Sequence, residues 1–293
     1  MTTRTPLGRS WARASGAALR AGAMALLVAL PQLVLGQGGE AGGQLVALFA
    51  LLLFAFTAAE YASASPALVE FRDAPPYNRL RALALGGSLV GASLALREGE
   101  GGTAELLLRA LAGRLGEALD RPLSPVRLLV ASLDGGLEPA RAAALGAAAS
   151  VALIVSLLAA LGFALRLRGW PAARAFNVWV NLPQFDPTAA RDVVGRLQAE
   201  ANLNLSLGLL LPWVLPWALS VAAGCLAPLS GSPSGSGGGS LLAEPATAAW
   251  VVTAWAFVPA SLAMRGFALH RLAQMIAAHR ARMRHTTGFA QLA

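Results

Sequence analysis

The sequence contains no lysine; all 23 of its basic residues are arginine. Without an ε-amino group the chain cannot form a Schiff base to pyridoxal phosphate or retinal, and it cannot complete a Walker-type phosphate loop. Cysteine occurs once, as Cys225. This excludes an intramolecular disulfide, a cysteine-ligated iron–sulfur cluster and a c-type haem attachment. Within an apolar stretch, Cys225 reads as a small buried side chain. The three histidines, His270, His279 and His285, all follow the last long apolar segment. No two of them can face each other across spanning helices to hold a b-type haem, and none can serve a membrane-embedded serine–histidine protease. Their spacing does not suggest a metal site, and neither HExxH nor GxSxG occurs. The sequence therefore predicts no catalytic residue, no cofactor and no metal.

Charge is scarce as well. Charged residues make up 13% of the chain, against roughly a quarter in ordinary soluble domains. Hydrophobic residues make up 56%, and they arrive in long blocks. A spanning helix needs about 20 mainly apolar residues, and six stretches approach or meet that length: 16–36, 41–63, 80–96, 142–165, 205–227 and 246–264. The predicted fold is all-α, a polytopic bundle of six transmembrane helices. A basic segment (1–15) precedes the membrane domain (16–264), and a basic tail (265–293) follows it. Arg20 in the first span can snorkel to the headgroups, and Pro31 is tolerable because neighbours re-satisfy freed carbonyls. An alternative makes the first apolar segment a cleaved signal peptide, leaving five spans.

The arginines orient the spans. Seventeen of them fall in the N-terminal segment, the second and fourth connections and the tail, while the first and fifth connections have none. The remaining six lie in the third connection, together with seven of the fifteen acidic residues. Positive charge is retained on the cytoplasmic side, so both termini are expected in the cytoplasm. Abundant Ala, Gly, Arg and Pro suggest a GC-rich bacterial genome, and hence the bacterial inner membrane. Because the arginines flank apolar spans, topology accounts for them better than nucleic-acid binding.

Several connections carry structure of their own. In the 98–140 segment, residues 103–120 plot as an amphipathic helix: Leu107, Leu108, Leu111, Leu115 and Leu119 share one side, and Glu105, Arg109, Arg114, Glu117 and Asp120 the other. Such a helix suits the outer bilayer surface or the top of the bundle; the sharper alternative is a binding platform. In the 166–204 segment, Asp186 and Pro187 read as a helix cap and first position. They precede a stripe of Ala190, Val193, Val194, Leu197 and Ala201, with Asp192 and Arg196 spaced for an ion pair. Phe176, Val178, Trp179 and Val180 are too apolar for a free loop. Residues 230–240 have the composition of a flexible linker. Beyond the sixth span, residues 264–284 continue as a basic helix with Phe267, Leu272, Met275 and Ile276 on one arc. Arg271, Arg280, Arg282 and Arg284 would attract anionic lipid.

Candidate functional residues are few. Glu60 is the one carboxylate within a span, near its arginine-rich end, and is expected to be interfacial and paired with Arg79 or Arg81. Two cytoplasmic connections share a Phe–Asp–Pro-like string, at Phe71-Arg72-Asp73-Ala74-Pro75-Pro76 and Phe185-Asp186-Pro187. Asp and Pro are also ordinary turn residues. Small residues at four-residue intervals, Gly87, Gly91 and Ala95 in one span and Ala142, Gly146 and Ser150 in another, predict close helix packing. Pro212, Trp213, Pro216 and Trp217 predict a kinked fifth span, either a rigid bend or a gate, and Pro259 a bend in the sixth.

Three functions remain open on this reading. The leading one is a non-enzymatic scaffold or assembly component of an envelope complex, joined to other membrane proteins or to copies of itself. The second is a small transporter or channel using the proline-kinked spans. The third is a membrane lipid-modifying enzyme using Glu70, Asp73 or Asp186.

Overall fold

In a computed structural model, the described residues are 6–36, 40–63, 67–99, 101–133, 137–171, 181–183, 185, 192–226 and 244–290. Every regular element among them is helical. The helices are α1 (Pro6–Leu35), α2 (Glu40–Ala62), α3 (Tyr77–Leu96), α4 (Thr103–Leu119), α5 (Pro125–Leu133), α6 (Pro139–Arg166), α7 (Val193–Leu226) and α8 (Pro245–Ala290). One 3₁₀ turn, Leu167–Gly169, ends α6. Proline opens α1, α5, α6 and α8, where its missing N–H costs nothing and its fixed φ suits a first turn.

Among the described residues, five helical segments are long and apolar enough to cross a bilayer: Ala14–Leu35, Gly43–Ala62, Tyr77–Leu96, Pro139–Gly169 and Pro245–Met283. These match five of the six spans expected. The remaining expected span, 205–227, falls largely on α7 (Val193–Leu226), whose side chains are described only in part. α7 nonetheless runs the length of the bundle. Leu197 and Ala201 join an apolar cluster at one end, and Leu215 packs on a second cluster at the other. The protein is thus an all-helical, multi-pass membrane protein.

Those two clusters mark the ends of the bundle. One joins Leu35, Leu96, α5, Leu145 and the stretch of α8 from Ala246 to Ala256. The other joins Phe71, Tyr77, Phe163, Trp170, Phe185, Leu197 and α8 from Ala260 to Ala273. The second and fourth connections and the start of the tail therefore share one end. The acidic third connection closes the other. The arginine count predicted this relative sidedness.

α6 is the hub, touched by α3, α4, α5 and α8. In lipid there is no hydrophobic driving force between helices, so close packing must supply the attraction. Gly87 and Gly91 of α3 receive Val155 and Val151 of α6, and a Cβ at Gly91 would overlap the Val151 side chain. α4 approaches closely too: a Cβ at Gly116 would stand 3.1 Å from the Ala147 backbone. α7 and α8 form the most extensive pair. Gly208 lies against the Pro259 carbonyl and Ala263, and Gly266 against the Ala201 carbonyl and Leu205.

The amphipathic helix is present, but only the end of its leucine stripe faces the protein: Leu119 packs on the core cluster. Ala112 and Gly116 form the buried side of α4, while Leu107, Leu108 and Leu111 are exposed. Lipid accommodates leucine as well as a core does, so the small residues take the helix contact. α4 is therefore packed on α6 with Leu107, Leu108 and Leu111 outward. A network fixes its start: Glu105 accepts from Arg97 at 3.1 Å and also pairs with Arg109, which donates to the Gly99 carbonyl at 2.9 Å.

α2 is the opposite case. It packs on α1 and leaves Leu45, Leu48, Phe49, Leu51, Leu52, Phe54 and Phe56 exposed.

Candidate functional site

The arginine-rich end gathers most of the chain's polar chemistry. There α2 stops at Ala62 and the chain folds back beneath it, so that the Glu60 carboxylate accepts the backbone N–H groups of Ala67, Leu68 and Val69 at 3.0–3.2 Å. Arg72 covers the end of the same helix, donating to the carbonyls of Glu60 at 3.2 Å and Ser63 at 2.6 Å. These are carbonyls the helix leaves without partners, at the end where its dipole favours a cation. Glu60 is therefore not paired with Arg79 or Arg81, as its sequence position suggested. Three amides of the returning chain satisfy it instead.

The two arginine-rich connections are joined through one asparagine. The backbone carbonyl of Asn181 accepts from Phe71 N–H at 2.7 Å, and its side-chain oxygen accepts from Asp73 N–H at 3.0 Å. The Trp170 indole donates to the Ala74 carbonyl at 2.9 Å. Four rings pack edge to face around this junction: Phe71 on Tyr77 and Trp170, and Phe163 on the same two, with centroids 4.6–5.4 Å apart. Phe71 takes a positive φ of 51° in the turn.

The two Phe–Asp–Pro-like strings thus meet in part. Phe71 and Phe185 lie in one cluster. The Asp73 side chain is 62% exposed beside Arg72, whereas Asp186 and Pro187 lie outside the described residues, as do Ala190 and 176, 178–180. Downstream, the Asp192 carboxylate accepts from Gly195 N–H at 3.0 Å, capping α7. Arg196 does not pair with it but lies over the Phe185 ring at 5.0 Å. A capping carboxylate turned toward the first-turn amides is no longer directed at a residue one turn on.

Sequence reasoning missed the strongest polar contact. Arg265 of α8 binds Glu70 with two bonds, Nε to Oε2 at 2.7 Å and Nη2 to Oε1 at 2.9 Å, and reaches Glu200 of α7 at 2.6 Å. Two parallel N–H···O bonds are the strongest geometry open to this pair. Asn78 donates to the Glu70 carbonyl at 2.7 Å. Nearby, Arg81 lies over the rings of Tyr77 and Phe257, at 5.4 and 5.9 Å. Arg265 and its two glutamates tie α7, α8 and the second connection together, and Arg81 brings α3 against α8 through the Phe257 ring. Both Glu70 oxygens are engaged by Arg265, so neither is free as a general base in this arrangement.

The basic tail is helical as expected, but Arg271 is committed to the protein. It donates to the carbonyls of Arg168 and Trp170 at 3.2 and 3.3 Å, the unpartnered acceptors just past α6. Leu272 is buried, and Phe267 and Ile276 pack beside it.

Two features stand apart from this end. The proline pair in α7 is inward and closed: Pro216 has no N–H for the Pro212 carbonyl, and the Trp255 indole of α8 donates to it at 3.0 Å. Trp213 donates to the Leu123 carbonyl before α5, also at 3.0 Å. At the acidic end, a cavity of about 280 Å³ lies between α3, α6 and α8, rimmed by Arg97, Glu98, Glu138 and Arg141. Cys225 and the 230–240 linker lie outside the described side chains.

The chain matches no family model, no curated protein and no solved structure. What is established is the architecture: apolar helices crossing a membrane several times, closed at one end by a polar network.

Proposed function

We propose that this chain is a non-enzymatic assembly component of a bacterial inner-membrane complex, with its arginine-rich end in the cytoplasm. The observation that carries this reading is α2. Only 11% of its apolar window is covered by the rest of the chain, against 56% for α8. Helix association in lipid rests on packing and polar contacts; among the described helices α2 packs extensively on α1 alone, and its polar contacts lie at its end. Its open side, with Leu45, Leu48, Phe49, Leu52 and Phe56, suits a spanning helix of another protein. The Arg265–Glu70–Glu200 network at the arginine-rich end supports the same reading, because it holds segments in place and leaves Glu70 engaged. The indole on the Pro212 carbonyl weighs against a gate in α7, since the bond that the proline frees is re-made by the neighbouring helix.

The test is a photoreactive amino acid placed at Phe49 or Leu52 and activated in intact membranes. The expected product is a discrete crosslink to one protein, either another chain or a second copy, lost when the probe is moved to a buried position such as Ala92. Adducts to lipid alone from both exposed positions contradict the proposal.

A further inference from the structure

A second feature of the arginine-rich end concerns a ligand and does not depend on the assembly reading. Arg20 of α1 lies within an apolar span, exposed, with its guanidinium over the Tyr61 ring of α2 at 5.0 Å and one bond to the Gly16 carbonyl at 2.8 Å. Arg72 stands at the end of α2, and Arg81 projects from the first turns of α3. Arg72 donates to the Glu60 and Ser63 carbonyls on either side of Tyr61. α1 packs on both α2 and α3, with Leu27 against Gly86, and the parallel helices α1 and α3 therefore carry Arg20 and Arg81 at nearly the same level of the arginine-rich end.

The carboxylates nearby are already engaged. Glu60 is held by three backbone amides, Glu70 is bound by Arg265, and Asp73 pairs with Arg72 at 3.4 Å. Among the described residues no carboxylate stands within salt-bridge distance of Arg20 or Arg81. Arg81 has its Nε buried without an acceptor. Two guanidinium groups at a bilayer margin with ring faces but no counter-charge are costly unless an anion meets them. Guanidinium donors match phosphate oxygens well. The flanking surfaces are apolar and open: α1 and α2 have only 17% and 11% of their windows covered.

We propose that Arg20, Arg72 and Arg81, with Tyr61, form a binding site for the phosphate of an anionic phospholipid, whose acyl chains run along α1 and α2. Arg20 and Arg81 supply the charge. Arg72, shared with Asp73 and the carbonyls of α2, fixes the shape of the site. The same donors would also receive a free phosphate ion, so the experiment must separate the two.

The purified, delipidated protein is titrated with phosphatidylglycerol, with phosphatidylcholine and with inorganic phosphate, and bound species are counted by native mass spectrometry. The wild type is expected to retain one phosphatidylglycerol in preference to phosphatidylcholine. Binding should weaken about fivefold for each of Arg20→Gln and Arg81→Gln and on the order of 25-fold for the double variant. Arg114→Gln, at the opposite end, should leave binding unchanged. Arg20 is exposed and its replacement breaks no buried contact, so the single variant serves if the double variant does not fold. Equal retention of both lipids, or phosphatidylglycerol binding unchanged in Arg20→Gln, overturns the proposal. Full displacement of the lipid by millimolar phosphate overturns its assignment to lipid.

Discussion

The two ends of the bundle are closed by different physics. At the arginine-rich end, bonds with defined direction join residues far apart in sequence: Asn181 to Phe71 and Asp73, Trp170 to Ala74, Arg265 to Glu70 and Glu200, and Arg271 to Arg168 and Trp170. At the acidic end, alanine, leucine and valine dominate the cluster, and Gly116 of α4 stands against the Ala147 backbone beside it. Shape alone tolerates gradual change, whereas a charge buried beside its partner does not. The first end specifies one arrangement of the connections, and the second lets helices adjust along smooth surfaces.

This contrast breaks most visibly at Arg265. Arg265→Met strands two carboxylates, and the expected loss is on the order of 3 kcal/mol, read by denaturant unfolding in micelles. Adding Glu70→Gln and Glu200→Gln should recover much of it, because the stranded charges then go as well. A loss below that of a surface pair would show that the network is not a closure. At the other end Gly116→Val must displace backbone rather than a flexible side chain, and a cost of about 2 kcal/mol is expected from overpacking. If it is silent, α4 is not seated on α6. Between the ends, Trp255→Phe leaves the Pro212 carbonyl without a donor, for roughly 1–2 kcal/mol. Pro216→Ala in the same background should restore most of that, since an alanine amide can return to the helical bond; additive losses would contradict the account. The smallest effect belongs to Arg114→Gln. Its ion pair with Glu117 is 83% and 72% exposed, and a change of less than about 0.5 kcal/mol is expected.

Much of the architecture was legible because lipid imposes one severe rule, that a span be long and apolar. The fifth expected span follows the rule as well, since α7 crosses the bundle from Leu197 at one end to Leu215 at the other. The α4 stripe was visible, but its direction was not, since leucine suits lipid and core alike; Ala112 and Gly116 were the informative residues. The polar network was illegible for a different reason. Arg265 and Glu70 are 195 residues apart, and nothing local distinguishes either from an interfacial charge. Glu60 was singled out correctly as unusual, but its partners are backbone amides, which carry no side-chain signature.

α8 carries a mechanical consequence. Its 46 residues form one helix, about 69 Å of rod against a hydrocarbon core of about 30 Å. Residues 277–283 are exposed. Arg265 and Arg271 pin the rod near its middle, so they stand where a lever has its fulcrum. A body seated on the projecting arm would convert a small sideways push into tilt of the glycine seam shared with α7.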